Sequence, residues 1–129
     1  MLGITIVSHV QEIAEGVKKL VSQVAGSTSI TIAGGTDDGN IGTSMEKIMN
    51  AFSQNEANEI LAFYDLGSAK MNLEMAAEMV DKNIHIYSVP IVEGTYVAAS
   101  LIPTGERLNE IEKQLLPLKI KEWQLWMDF

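Results

Sequence analysis

Apolar residues along this chain fall into short β-branched runs that alternate with stretches of helical spacing. Leu2, Ile4, Ile6 and Val7 form a run that stops at Ser8 and His9. Branched residues on both faces suit a parallel strand covered on two sides. Ile13, Val17, Leu20, Val21 and Val24 then recur on one face of a helix, with Gly26 predicted as its stop. Residues 29–33 read as a second strand. Met45, Ile48, Met49 and Phe52 mark the inner face of a second helix, and residues 59–64 a third strand. A helix carrying Met71, Met75, Met79 and Val80 follows, reaching about Asn83, and its methionines, four apart, read as core. A fourth strand over residues 84–89 is closed by Pro90, and a helix over 91–100 comes next. Leu108, Ile111 and Leu115 mark a last amphipathic helix up to Pro117. The alternation at residues 118–121 suggests an extra C-terminal edge strand with its lysines outward. Trp123, Trp126 and Phe129 leave an apolar load at the C-terminus, either docked on the fold or contacting a second subunit.

Strand and helix in alternation predict an α/β fold: a three-layer, doubly wound, mainly parallel sheet of order 2-1-3-4, in one domain over residues 1–129. In that order the first and third strands are neighbours. The crevice between them, at their carboxyl ends, is where open α/β sheets place working residues.

Composition narrows the chemistry. A net charge of -8 sets the chain against nucleic acid and anionic membrane surfaces and favours a partner with a positive docking face. Cysteine is absent, which removes a disulfide frame, a thiolate zinc site and a cysteine nucleophile. The two histidines, His9 and His85, lie far apart, so no metal site is expected. The first residues carry no basic, long apolar leader and no membrane-spanning stretch; a cytoplasmic protein is expected.

His9 stands at the end of the first strand. Ser8-His9-Val10-Gln11 has capping-box spacing, which predicts Ser8 as N-cap and places His9 in the first helical turn. There the helix dipole favours a neutral, nucleophilic imidazole, and free N–H groups would stabilise a phosphoryl dianion. A capped helix with an incidental histidine fits the same four residues. Residues 34–44 form a glycine-rich loop, but Asn40 follows Gly39 where a P-loop requires lysine, and Asp37 and Asp38 would repel a polyphosphate. Thr43-Ser44-Met45-Glu46 is a second capping-box pattern. Asp65 ends the third strand, so His9 and Asp65 should meet across the crevice. A carboxylate on one ring nitrogen fixes the tautomer and leaves the other nitrogen as a nucleophile. His85, near the start of the fourth strand, falls at the opposite edge and reads as structural.

Four segments together resemble one family: Ile6-Val7-Ser8-His9; Gly35-Thr36-x-Asp38-Gly39-x-Ile41-Gly42-Thr43-Ser44; Tyr64-Asp65-Leu66-Gly67-Ser68-Ala69; and Val89-Pro90-Ile91-Val92-Glu93-Gly94. The family is that of the phosphotransferase subunits (DhaM) of bacterial phosphoenolpyruvate-dependent dihydroxyacetone kinase, whose fold is similar to mannose-type enzyme IIA domains. The resemblance spans about residues 1–115. It implies that His9 accepts a phosphoryl group from the phosphocarrier HPr, with a tele-phosphohistidine expected, while Asp65 orients it. Gly39, Thr43 and Ser44 would contact the phosphoryl group. The group would then pass to ADP held on the nucleotide-binding kinase subunit, so this chain itself would bind no cofactor. The resemblance also implies a homodimer. Some relatives carry HPr-like and enzyme I-like domains behind this one; with no such extension here, a separate donor is expected.

Two other readings stand beside the relay. A mannose-type sugar IIA would hand its phosphoryl group to a IIB protein. A non-catalytic α/β interaction module would leave His9 idle.

Overall fold

The computed structural model describes residues 1–120. Four strands, β1 (Leu2–Ser8), β2 (Ile30–Gly34), β3 (Glu59–Tyr64) and β4 (Asn83–Tyr87), form one sheet. All neighbouring pairs are parallel, in the order β2-β1-β3-β4. Five helices connect and cover them: α1 (Gln11–Val21), α2 (Met45–Gln54), α3 (Ala69–Met79), α4 (Ile91–Leu101) and α5 (Leu108–Leu115). No helix among the described residues is long and apolar enough to cross a membrane.

The period-2 alternation of β1 builds two cores at once. Ile4 and Ile6 point to one face, where they pack with Leu61, Phe63, Val17 and Val21 of α1, Ala98 of α4, and Ile111 and Leu115 of α5. Val7 points to the other, where it joins Ile60, Tyr64, Ile48 and Phe52 of α2, and Leu73 of α3. Both faces are therefore covered, which accounts for the burial of β1 from Gly3 to Ser8. Where the sheet meets α1, Gly34 permits close approach. A Cβ there would stand 2.6 Å from Gln11 Cα.

Several local expectations shift. The methionine stripe is not core: Met71, Met75 and Met79 are 71, 47 and 62 % exposed, and α3 buries Ala69, Leu73 and Ala76 instead. The first capping box does not form, since α1 begins at Gln11 after Val10, with no side-chain cap. α1 also stops at Val21, short of Gly26, which takes a φ of +59° in the following turn. The second box is displaced by one residue: Ser44, not Thr43, caps α2 by accepting from the Lys47 N–H at 3.2 Å. At the end of the described chain, Leu116–Leu118 is a 3-10 turn rather than strand, and the Ile120 N–H donates to the Ser88 carbonyl just past β4. Lys121 and the aromatic residues Trp123, Trp126 and Phe129 lie outside the described residues.

Candidate active site

The register of β1 on β3 sets Val7 opposite Tyr64, so the residues that follow, Ser8-His9 and Asp65, leave the sheet side by side at its carboxyl edge. Asp65 is the hub. Its Oδ1 accepts from His9 Nδ1 at 2.9 Å and from the Leu66 N–H at 2.8 Å. Its Oδ2 accepts from the Ser8 hydroxyl at 2.8 Å and the His9 N–H at 3.0 Å. The Ser8 oxygen in turn accepts from the Val10 N–H. Ser8 thus caps no helix, because the carboxylate draws its hydroxyl away. His9 sits just before the helix, not inside its first turn.

Burial on its own pushes the Asp65 carboxyl up. The hydrogen bonds from the His9 ring, the His9 backbone and Ser8, together with the charge of His9, outweigh it and hold the group below its ordinary range. Asp65 is therefore ionised at neutral pH and can only accept. In the neutral ring Nδ1 of His9 then carries the proton and Nε2 the lone pair. Nε2 faces the Ser68 hydroxyl at 2.8 Å, which then donates to it. Ser68 precedes α3 as N-cap residue, yet its side chain makes no capping bond to that helix.

A depressed folded-state pKa has a sign. Asp65 contributes stability above the unfolded carboxylate value of about 3.9, and that contribution is lost as pH falls through the lower folded value. We expect wild-type stability in urea to drop on acidification below about pH 4 and Asp65→Asn to flatten that limb. Superimposable acid limbs would show that the carboxylate is not under this tension.

The glycine-rich loop closes over the other side of His9. The Gly35 N–H donates to the Ser8 carbonyl at 3.1 Å and the Gly42 N–H to the His9 carbonyl at 2.9 Å. Gly35 does so with a φ of +72°, a conformation that suits glycine. The three loop residues expected at a phosphoryl group make other bonds. The Gly39 N–H donates to the Thr36 carbonyl, and Ser44 donates to Asp37 while it caps α2. Thr43 accepts from Asn72 of α3 at 2.8 Å, which ties the loop to that helix and leaves the threonine its own proton to donate. Lys47 Nζ binds the Gly34 carbonyl. His85 is the middle residue of β4 and pairs at 2.9 Å with Glu59, the first residue of β3.

His9 and Asp65 meet as the sequence predicts, whereas the contacts of Ser8, Ser68 and Asn72 were not foreseen from it. Ser68 carried a signal, since it stands three residues beyond Asp65 where a helix begins and a hydroxyl could reach the ring.

Comparison with known proteins gives the family. A model described as PTS system fructose IIA component matches residues 3–112. The phosphotransferase subunit DhaM of PTS-dependent dihydroxyacetone kinase from Lactococcus lactis subsp. lactis is 48 % identical over 120 residues, covering 93 % of this chain and 98 % of that protein. The chain belongs to the DhaM family. A further DhaM, the phosphoryl donor subunit of PEP-dependent dihydroxyacetone kinase 1 from Listeria innocua, is 43 % identical over 92 % of this chain and 96 % of its own length. Among solved structures, EF1359, a protein of unknown function, shares this DhaM-family fold with a TM-score of 0.80 at 30 % identity, over 95 % of this chain and 98 % of its own. The phosphotransferase system component EIIA of Streptococcus agalactiae shows the same fold at a TM-score of 0.65 and 20 % identity, over 91 % of both chains.

Proposed function

We propose that this chain is the phosphoryl-carrier subunit of a phosphoenolpyruvate-dependent dihydroxyacetone kinase. Phospho-HPr would load His9, and the phosphoryl group would pass to ADP held on the nucleotide-binding kinase subunit. The observation that carries this reading is the imidazole clamped between an ionised carboxylate on Nδ1 and a hydroxyl on Nε2. The high identity to DhaM proteins gives the system in which it works.

The chemistry follows from the clamp. The Nε2 lone pair attacks the donor's phosphorus in line, and the bond from phosphorus to the donor's nitrogen breaks. Ser68 must release Nε2 as that happens, and its hydroxyl then turns to donate to a phosphoryl oxygen. The Nδ1 proton stays on the ring, and the positive charge that develops there faces Asp65. Little more than positioning and charge stabilisation is required for phosphoryl transfer. The Thr43 hydroxyl is a second donor for the transferred group. The nucleotide belongs to the acceptor subunit in this reading, in keeping with a loop that has Asn40 where a P-loop has lysine.

The test is sequential. After incubation with phosphoenolpyruvate, enzyme I and HPr, the intact protein should gain one acid-labile phosphoryl group. On mixing with the kinase subunit, ADP and dihydroxyacetone it should lose that group and yield dihydroxyacetone phosphate. Transfer to a IIB protein instead would assign the chain to sugar transport, and no gain from an active donor would reject the carrier role.

Ser68→Ala should slow loading from phospho-HPr about tenfold, through loss of one hydroxyl donor to a charged group. Rapid-quench mass measurements follow this directly. Loading at the wild-type rate would remove Ser68 from the reaction.

A further inference from the structure

α3 has two apolar stripes at helical spacing. One, Ala69, Leu73 and Ala76, is buried on the sheet; the other, Met71, Met75 and Met79, points to solvent. The exposed stripe starts one turn beyond Ser68, which holds Nε2 of His9, and extends about 12 Å along the helix. Two further large apolar side chains stand exposed on the segments that hold His9. Leu66 adjoins Asp65, and Ile41 adjoins Gly42, whose N–H binds the His9 carbonyl. Met45 and Met49, partly buried on α2, bring the helices that cover this face of the sheet to five of the seven methionines in the chain. Exposed apolar side chains grouped on one helix face in this way mark a contact surface, and methionine suits one that must adapt its shape.

Acidic side chains predominate around the patch, with the half-buried Lys70 beside Met71 as the basic residue on α3. Glu74 and Glu78 flank the methionines on α3, and Asp37 and Asp38 lie in the loop that carries Ile41; all four are exposed. A second copy of this chain laid on the patch would bring like charges together, on a protein already at -8. A phosphoryl anion approaching His9 also has to cross this acidic border, so it must arrive with cations of its own.

We propose that Ile41, Leu66, Met71, Met75 and Met79 form the docking surface for the protein that donates the phosphoryl group. That donor presents its phosphoryl-bearing residue within an apolar patch ringed by lysine and arginine. The proposal rests on His9 being the phosphoryl acceptor, and it adds where the donor binds and what chemistry recognises it.

The test separates docking from chemistry. Met71→Glu and Met75→Glu, singly and together, are compared with Met71→Leu in transfer from phospho-HPr, and each protein is also phosphorylated directly with potassium phosphoramidate, a small donor that needs no docking. The glutamate variants should raise KM for phospho-HPr about tenfold or more with kcat unchanged, while Met71→Leu and the phosphoramidate rates stay at wild type. Wild-type kcat/KM for phospho-HPr should also fall as salt is raised. Unchanged KM in the double variant would overturn the proposal. So would a defect confined to the later transfer to the kinase subunit, which would give the patch to the acceptor. A shift in self-association on sedimentation would overturn it in favour of a second copy. Failure of wild-type His9 to react with either donor would instead reject the carrier reading itself.

Discussion

His9→Ala is expected to remain folded and to accept no phosphoryl group. The side chain stands beyond the end of β1, outside both apolar clusters, so its removal opens no core cavity. Asp65 loses one of four donors and keeps the Ser8 hydroxyl and two backbone N–H groups, which limits the cost to about 1–2 kcal/mol. Chemically the loss is complete, because the attacking nitrogen is gone. Intact-mass measurement after treatment with phosphoenolpyruvate, enzyme I and HPr should show one added phosphoryl group on the wild type and none on the variant, with matching far-ultraviolet circular dichroism. A full phosphoryl gain in a folded His9→Ala protein would place the acceptor elsewhere.

Asp65→Asn is nearly isosteric and should slow loading about a thousandfold or more. The carboxylate accepts on both oxygens, from His9 Nδ1 and the Leu66 N–H on one and from Ser8 and the His9 N–H on the other. An amide cannot satisfy that set in either orientation. With its NH2 towards the ring, Nδ1 becomes the acceptor, the proton moves to Nε2 and the nucleophile is blocked. With its NH2 towards the backbone, two donors confront the His9 N–H. Either way no negative charge faces the imidazolium as it forms. Single-turnover loading gives the rate, and nitrogen-15 shifts of the ring report the tautomer. A rate within tenfold of wild type, with Nδ1 still protonated, would show that Asp65 does not orient His9.

The strand pattern was readable because burial on both faces leaves a plain signal: β3 runs over the predicted residues 59–64, and the β2-β1-β3-β4 order is the usual one expected for such a chain. That order alone brings His9 to Asp65. The finer contacts were illegible for a physical reason. Ser8 and Gln11 have capping-box spacing, but the Ser8 hydroxyl prefers a carboxylate 57 residues away, which no local pattern reports. α3 is apolar on two sides, so periodicity marks a helix without saying which stripe faces inward; the smaller Ala69 and Ala76 with Leu73 let it sit close to the sheet and turn the methionines out. Thr43 and Ser44 were both plausible caps by type. The choice fell to Ser44, while Thr43 joined Asn72 on a helix the loop had yet to meet in sequence.

His9 is gripped through its main chain on both sides, by Asp65 at its N–H and by Gly42 at its carbonyl. Such a frame has little slack with which to register whether the imidazole is loaded. Empty and loaded protein should then present nearly the same outline, differing by a phosphoryl group of close to two negative charges added to a surface already at -8. A partner that must tell the two apart reads voltage rather than form, and the message it receives fades as the surrounding salt thickens.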